Sequence, residues 1–357
     1  MGVGIISPRD HGVAISVIIS TRNRAHYLPD ALGTLAAQDC ATPFEVIVID
    51  NASSDHTPAL LEQWCRRDAR FRTARESRLG LSRGKNAGIM MARAPLLLFT
   101  DDDMLVDAHW VQSYHDFFAR RKGVLELSGG PVVPIPHDLG RWADWLDEPA
   151  LMDAGQLHHD GERVLGQYEY VWGGNIAVPR RLFDLFGLWD ETMGLQGDQR
   201  VTPEHAECFE DTEFQDRIRH AGGTVWFCPA AVVHHRVDRR TVTPRRITST
   251  AFSRGRNDIW VKDLPIWHEI SLAPRRNALA CLCSLTGSLV RWGAWLMLFH
   301  LSANKTGFER ARRAAFAAGR SLDSLRAGRG SQRLFLGAGR IVFLIRWLLL
   351  RLTPDVP

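Results

Sequence analysis

Three apolar runs mark out the first hundred residues. VAISVIIS (13–20) and FEVIVID (44–50) are short and β-branched, and APLLLFTD (94–101) is apolar until it meets a hydroxyl and a carboxylate. Continuous apolar runs of this length predict strands buried on both faces. Between the first two, YLPDALGTLAAQ has helical spacing. After the second, SSDHTPALLEQWCRR offers Ser or Asp as a cap and Pro58 near the first turn, so a helix follows Asp50. Strand, helix, strand, helix, strand predicts an α/β fold built on an open, mostly parallel sheet flanked by helices. Ligands on such sheets gather beyond the C-terminal strand ends, where Ser20–Arg24, Asp50–Asp55 and Asp101–Asp103 all fall.

Further along, DAHWVQSYHDFFARR, RRLFDLFG (180–187) and EDTEFQDRIRHAG (210–222) read as helices, and TVWFCPAAVVHH (224–235) as strand-like. Residues 131–170, rich in Pro, Trp and His, read as a loop insertion with short helices. The tryptophans of 142–172 suit either core filling or a sugar-stacking surface. No internal repeat or low-complexity tract is present. The pattern changes near residue 244, so a domain over 1–243 and a helical region over 244–357 are expected. LACLCSLTGSLVRWGAWLMLFHL (279–301) is long enough to cross a bilayer, but a central Arg291 costs about 2.5–3.5 kcal/mol on insertion scales. In LFLGAGRIVFLIRWLLLRL (334–352), Arg340 and Arg351 share a stripe with Arg333, within about 20° at 100° per residue. An apolar helix with an arginine stripe and Trp347 has the character of an in-plane interfacial helix; packing of the tail on the body is the plain alternative.

Charge sharpens this division. Residues 236–357 carry 22 Lys and Arg against 7 Asp and Glu, whereas residues 1–235 carry 22 against 33. An acidic body with a basic, apolar tail predicts contact with an anionic membrane surface. Nucleic acid is not expected as a partner, because the arginines interleave with long apolar stretches. The six cysteines form neither a CxxC pair nor zinc spacing with His, which fits a reducing compartment. No signal peptide is recognisable. The expected location is cytoplasmic, peripheral or monotopic at the inner face of the cell membrane.

Asp101, Asp102 and Asp103 in LLLFTDDDM set the chemistry. Adjacent carboxylates at a strand end suit a hard divalent cation, Mg²⁺ or Mn²⁺, which completes its shell with substrate phosphates. The competing reading is an N-cap run ahead of the next helix. GLSRGKNAG (80–88) is one residue short between its glycines for a P-loop, and Asn86 replaces the hydroxyl after Lys85. The G-x-G-x-x-G fingerprint is absent after the early strands, so neither an ATPase nor a Rossmann dehydrogenase is expected.

Taken in order, ISVIISTRNR, VIVIDNASSD, GLSRGKNAGI, LLFTDDDM, VWGGNIAV, CFEDTEF and FCPAAVVHH resemble a family 2 glycosyltransferase of the GT-A fold over roughly residues 13–240. The resemblance implies an inverting, metal-dependent transfer from a nucleotide diphosphate sugar. It implies nucleotide contacts from Thr21, Arg24, Asp50 and Asn51, with Lys85 standing where the family commonly has Arg. Asp101 and Asp103 correspond to the DxD pair, toward metal and diphosphate, with Asp102 joining the donor side. Gly173, Gly174 and Asn175 correspond to the turn under the donor sugar. Glu210 and Asp211 correspond to the acidic pair whose Asp is the general base, and His234 or His235 to a late metal- or diphosphate-facing His. Residues 191–205 correspond to an acceptor-side loop. The implied acceptor is a glycan or a lipid-linked molecule in surface polysaccharide or glycolipid synthesis. The alternatives are a polyprenyl-phosphate sugar synthase of the same fold and a non-catalytic sugar-binding protein.

Overall fold

The computed structural model of the protein describes residues 12–121, 123–137, 157–167, 169–194 and 210–238, with isolated positions between 287 and 314. The chain divides into two compact units. One comprises residues 1–135, 155–200 and 208–236, and the other 136–154, 201–207 and 237–357. Nearly all described residues belong to the first. The expected boundary at 243/244 and the arginine-striped segment 334–352 lie outside the described residues, as do Trp142 and Trp145. Most of 279–301 does too. Among the described residues no helix is long and apolar enough to cross a membrane.

An eight-stranded sheet of order β3-β2-β1-β4-β9-β6-β10-β8 organises the first unit. Its first half follows β1 (Ile15–Thr21), α1 (Leu28–Ala36), β2 (Phe44–Asp50), α2 (Thr57–Arg67), β3 (Phe71–Arg75), α3 (Leu81–Met91) and β4 (Leu96–Thr100). β1, β2 and β4 are buried along their whole lengths, as their unbroken apolar runs require. β1 lies parallel to β2 on one side and to β4 on the other. The chain thus builds outward to β3, then returns through α3 to lay β4 against the opposite edge of β1. That reversal is a crevice-forming switch point at the C-terminal strand ends.

The second half contains β5 (Met104–Val106), α4 (Trp110–Ala119), β6 (Glu126–Gly129), β7 (Val132–His137) and β8 (Arg163–Val164). It continues through β9 (Asn175–Pro179), α5 (Arg180–Phe186), α6 (Glu210–His220), β10 (Thr224–Phe227) and β11 (Val233–Asp238). β9 runs antiparallel between β4 and β6. Two expectations need correction. TVWFCPAAVVHH is two strands, because a turn after Phe227 sends β10 into the large sheet and β11 into a separate sheet of order β5-β11-β7. The span 131–170 also contributes strands β7 and β8 where irregular chain was expected. The Asp101–Asp103 run caps no helix, since β5 intervenes before α4 starts at Trp110.

Gly84 and Gly88 explain GLSRGKNAG. A Cβ on Gly84 would stand 2.0 Å from Ser20 Oγ, and one on Gly88 would stand 2.4 Å from Ile18 Cγ2. The two glycines let α3 press directly on β1. A Cβ on Gly33, in α1, would meet nothing within 4 Å. Gly33→Ala is therefore expected to stabilise by about 1 kcal/mol through helix propensity. Gly88→Ala is expected to destabilise by about 1–3 kcal/mol despite the same propensity gain, because overpacking wins. Thermal denaturation of the two variants beside the parent gives the signs.

Candidate functional site

The ends of β1, β2 and β4 and the start of α6 bring the expected acids together. Thr21 Oγ1, the last residue of β1, donates to Asp102 Oδ2 at 2.6 Å. Arg24 Nη1 reaches Asp103 Oδ2 at 3.3 Å while its guanidinium lies 5.0 Å from the centre of the Tyr27 ring. Asp50, buried at the end of β2, accepts the Ser53 N–H on Oδ1 at 2.9 Å, and Arg75 Nη1 stands 3.4 Å from its Oδ2. Left-handed backbone at Asn23 and Ala52 folds the two strand-end loops back on themselves. Arg22 Nη1 ties them together by donating to Ala52 O and to Asn51 O.

α3 supplies Lys85. Its ammonium donates to Glu210 Oε1 at 3.0 Å, both side chains being almost wholly buried. Burial works against the charge on Lys85, but Glu210, Asp101 and Asp211 outweigh it and raise its pKa above the ordinary lysine value. The turn before β9 fits between these groups only because it lacks side chains. A Cβ on Gly173 would stand 2.9 Å from Lys85 Nζ and 3.1 Å from Asp211 Oδ2, and one on Gly174 only 2.5 Å from Asp101 Oδ2. The Gly173 N–H donates to Asp211 Oδ2 and the Thr212 N–H to Oδ1, each at 2.7 Å.

The acids differ in state. Asp101 and Asp211 keep part of their surface open, whereas Asp102, Asp103 and Glu210 are buried. Burial, then Glu210, pushes Asp211 up to about 6, with Lys85 and the two backbone donors restraining the rise. Burial, then Asp103, pushes Asp102 up to about 7 against the pull of Arg24 and the Thr21 hydroxyl. Asp101 is raised by burial and restrained by Lys85, with Asp103 and Glu210 adding to the rise.

Three expected site residues are placed elsewhere. Asn175 is wholly buried and fully engaged: Nδ2 donates to Pro131 O and Ala231 O, and Oδ1 accepts from Trp110 Nε1 and Tyr114 Oη, all at 2.8–2.9 Å. It fastens β9 to α4 and to the turns beside β7 and β11, leaving no hydrogen-bonding capacity for a sugar. Asn51 spends its amide on the loop after β3, donating to Arg78 O at 2.7 Å and accepting from Gly80 N at 2.9 Å. Alternation along β11 separates the two histidines. His234 Nε2 meets Asp107 Oδ1 at 2.8 Å, while His235 Nε2 lies 3.8 Å from Asp103 Oδ1, so His235 is the one beside the DxD pair.

The sequence reading did not anticipate the strap 188–194. Asn86 exchanges hydrogen bonds with the backbone of Trp189, Ser82 Oγ donates to Met193 O, and Glu191 pairs with Arg78 and Arg83. Of the expected acceptor-side loop, only residues 191–194 are described. Trp172 is half-buried and packs against the core. Among the described residues, no group of three or more His, Cys, Asp or Glu side chains is arranged to hold a metal ion.

Residues 16–129 match the profile of glycosyl transferase family 2. The chain carries a family 2 glycosyltransferase domain. Over 203 residues it is 32% identical to validoxylamine A glucosyltransferase of Streptomyces hygroscopicus subsp. jinggangensis (strain 5008), covering 51% of this chain and 48% of that protein. Chondroitin synthase of Escherichia coli is 23% identical over 248 residues, which is 62% of this chain and 34% of that protein. The chain thus spans about half or less of the length of these curated relatives. A mannosyltransferase from Pyrobaculum calidifontis, solved with GDP-Man and Mn²⁺, superposes with a TM-score of 0.47 at 16% identity, covering 94% of this chain and 84% of that one.

In this glycosyltransferase domain Asp102 gives a stability test with a definite sign. Its folded pKa lies above the usual carboxylate value, so the folded state holds the proton more tightly than the unfolded one. The stability this confers is complete below about pH 4 and is lost as pH rises to about 7. Asp102→Asn keeps an acceptor for Thr21 and removes the titration. In EDTA its melting temperature is expected to approach that of the parent near pH 4 and to exceed it by a few degrees at pH 8.

Proposed function

We propose that the protein transfers a sugar from a nucleotide diphosphate sugar to an acceptor hydroxyl with inversion at the anomeric carbon. The observation that carries this reading is the placement of Asp211: partly open, on the first turn of α6, held by two backbone N–H groups and raised toward neutrality. A carboxylate with a pKa of about 6 is ionised at neutral pH and still basic enough to take a proton in the transition state. As the acceptor oxygen attacks the anomeric carbon, its proton passes to Asp211. The bond to the diphosphate breaks on the opposite face, and the leaving group takes the electron pair. Attack from that face inverts the centre.

Asp101 and Asp103 are the groups that would hold Mn²⁺ or Mg²⁺, and His235 stands beside Asp103. Two carboxylates offer the oxygen ligands a hard ion prefers and leave its other positions to phosphate oxygens, and Gly174 brings the backbone up to Asp101 without a side chain. When bound, the ion supplies positive charge to the departing diphosphate. Thr21, Arg24 and Asp50 line the strand ends where the nucleotide would lie, with Arg24 locked by Asp103 in a fixed orientation. A hydroxyl acceptor is favoured over a polyprenyl phosphate, because a phosphate needs little deprotonation and Asp211 would then have no task. The basic, apolar tail supports work at an anionic membrane surface on a glycan or lipid-linked acceptor, in surface polysaccharide or glycolipid synthesis.

Thermal shifts with UDP, GDP, dTDP and CDP, each with Mn²⁺, Mg²⁺ or EDTA, test the donor site. One nucleotide is expected to raise the melting temperature in metal and not in EDTA, with the effect lost in Asp103→Ala; no shift for any of the four would sink the donor reading. Asp211→Asn is expected to lower turnover by about 10²–10⁴-fold while nucleotide binding persists. In the wild type, kcat/KM should fall about tenfold per pH unit below about pH 6, since the base must be ionised, and level off toward pH 8. A profile flat down to pH 4 would remove Asp211 from the role.

A further inference from the structure

Lys85 was expected among the donor-binding residues, and Glu210 beside Asp211 as part of the catalytic pair. Their geometry assigns both a different task. Lys85 Nζ lies 3.0 Å from Glu210 Oε1, and the two side chains are 4% and 6% exposed, so neither presents a surface to the crevice. The ammonium also lies 5.7 Å from the centre of the Trp189 ring. Gly194 approaches from the strap: a Cβ there would stand 3.3 Å from Glu210 Oε2. The pair therefore joins α3, the first turn of α6 and the strap at one buried point. The same α6 turn presents Asp211 to the Gly173 N–H.

We propose that Lys85 and Glu210 form one positioning unit that holds the start of α6 against the Gly173 turn and so fixes the aim of Asp211, without either touching donor or acceptor. This rests on the reading of Asp211 as the base. A lysine that bound the diphosphate would have to leave Glu210 and give up its buried place beside the Gly173 turn, where even an added Cβ would stand 2.9 Å from the ammonium. A glutamate acting as the base would have to release Lys85 and abandon its buried position.

The test separates positioning from binding by measuring kcat, acceptor KM and nucleotide Kd. The variants are Lys85→Met, Glu210→Gln and the double variant, with the Asp211→Asn enzyme as reference. The nucleotide is whichever of the four shifts the wild type; the wild type must bind it and turn over before any variant is informative, so failure of the broader reading shows there first. Each single variant is expected to lose about 10–100-fold in kcat with nucleotide Kd within threefold of the parent, since a small misplacement of a reacting group can cost about 10²-fold. The double variant should lose no more than the worse single one, because the two act as a unit. Breaking one half of a buried pair can itself unfold a chain, so melting temperatures are recorded and the double variant, free of both charges, carries the test if a single one does not fold. Nucleotide affinity falling in step with kcat would make Lys85 a diphosphate ligand and overturn the proposal. So would losses that multiply in the double variant, or a double variant with wild-type kcat.

Discussion

Burying a carboxylate costs several kcal/mol unless a counter-charge, a proton or a set of hydrogen-bond donors meets it. This crevice gathers Asp101, Asp102, Asp103, Glu210 and Asp211 around two strand ends and a helix start, against Lys85 and Arg24. Four of the five acids are met by close partners, and Asp101 is restrained by the charge of Lys85. Glu210 has an ammonium at 3.0 Å, Asp103 a guanidinium at 3.3 Å, Asp102 a hydroxyl at 2.6 Å, and Asp211 two backbone N–H groups at 2.7 Å. The surrounding architecture follows from supplying these partners. α3 must lie close enough to β1 to deliver Lys85, hence Gly84 and Gly88. The β9 turn must pass between Lys85 and Asp101, hence Gly173 and Gly174.

The supply falls short of the demand, and that shortfall is chemically useful. Asp102 and Asp211 rise toward neutral pKa values because burial and neighbouring acids are only partly offset. A pocket left with excess negative charge at neutral pH gains most from a divalent ion brought in with an anionic substrate, since ion and phosphate together add little net charge. The same surplus raises one partly open carboxylate, Asp211, to about 6, the property the proposed base requires. Asp211 differs from Glu210 in this respect through geometry alone: the neighbouring residue takes the lysine, and Asp211 keeps an open edge.

The central strands were legible because burial on both faces leaves an unmistakable apolar run, and the carboxylates were legible because they end such a run. β3, FRTAR, was not anticipated: it lies at the sheet edge, largely half-exposed, and its two arginines erase the apolar signal. The split of TVWFCPAAVVHH escaped for another reason: its apolar residues run on through CPAAVV, and only the turn after Phe227 divides them between two sheets. Asn175 and Asn51 show the limit for side chains. An asparagine in a motif next to glycines looks like a ligand contact, and only the four partners of Asn175 or the loop braced by Asn51 reveal an internal task. His234 and His235 were indistinguishable as a pair; strand alternation decides between them once β11 is paired with β5.

Lysine in place of the arginine common to the family reads differently once the neighbours are known. A guanidinium is a planar fork that makes the most of paired acceptors, whereas an ammonium is a compact charge. Here the cation has one close carboxylate, an aromatic face beside it and the Gly173 backbone packed against it so tightly that even a methyl group would stand 2.9 Å from Nζ. Lys85 and Gly173 therefore constrain each other: the small cation lets the turn close in, and the closed turn brings the N–H that holds Asp211. If Asp211 is the base as proposed, its aim from α6 depends on a compact charge on α3.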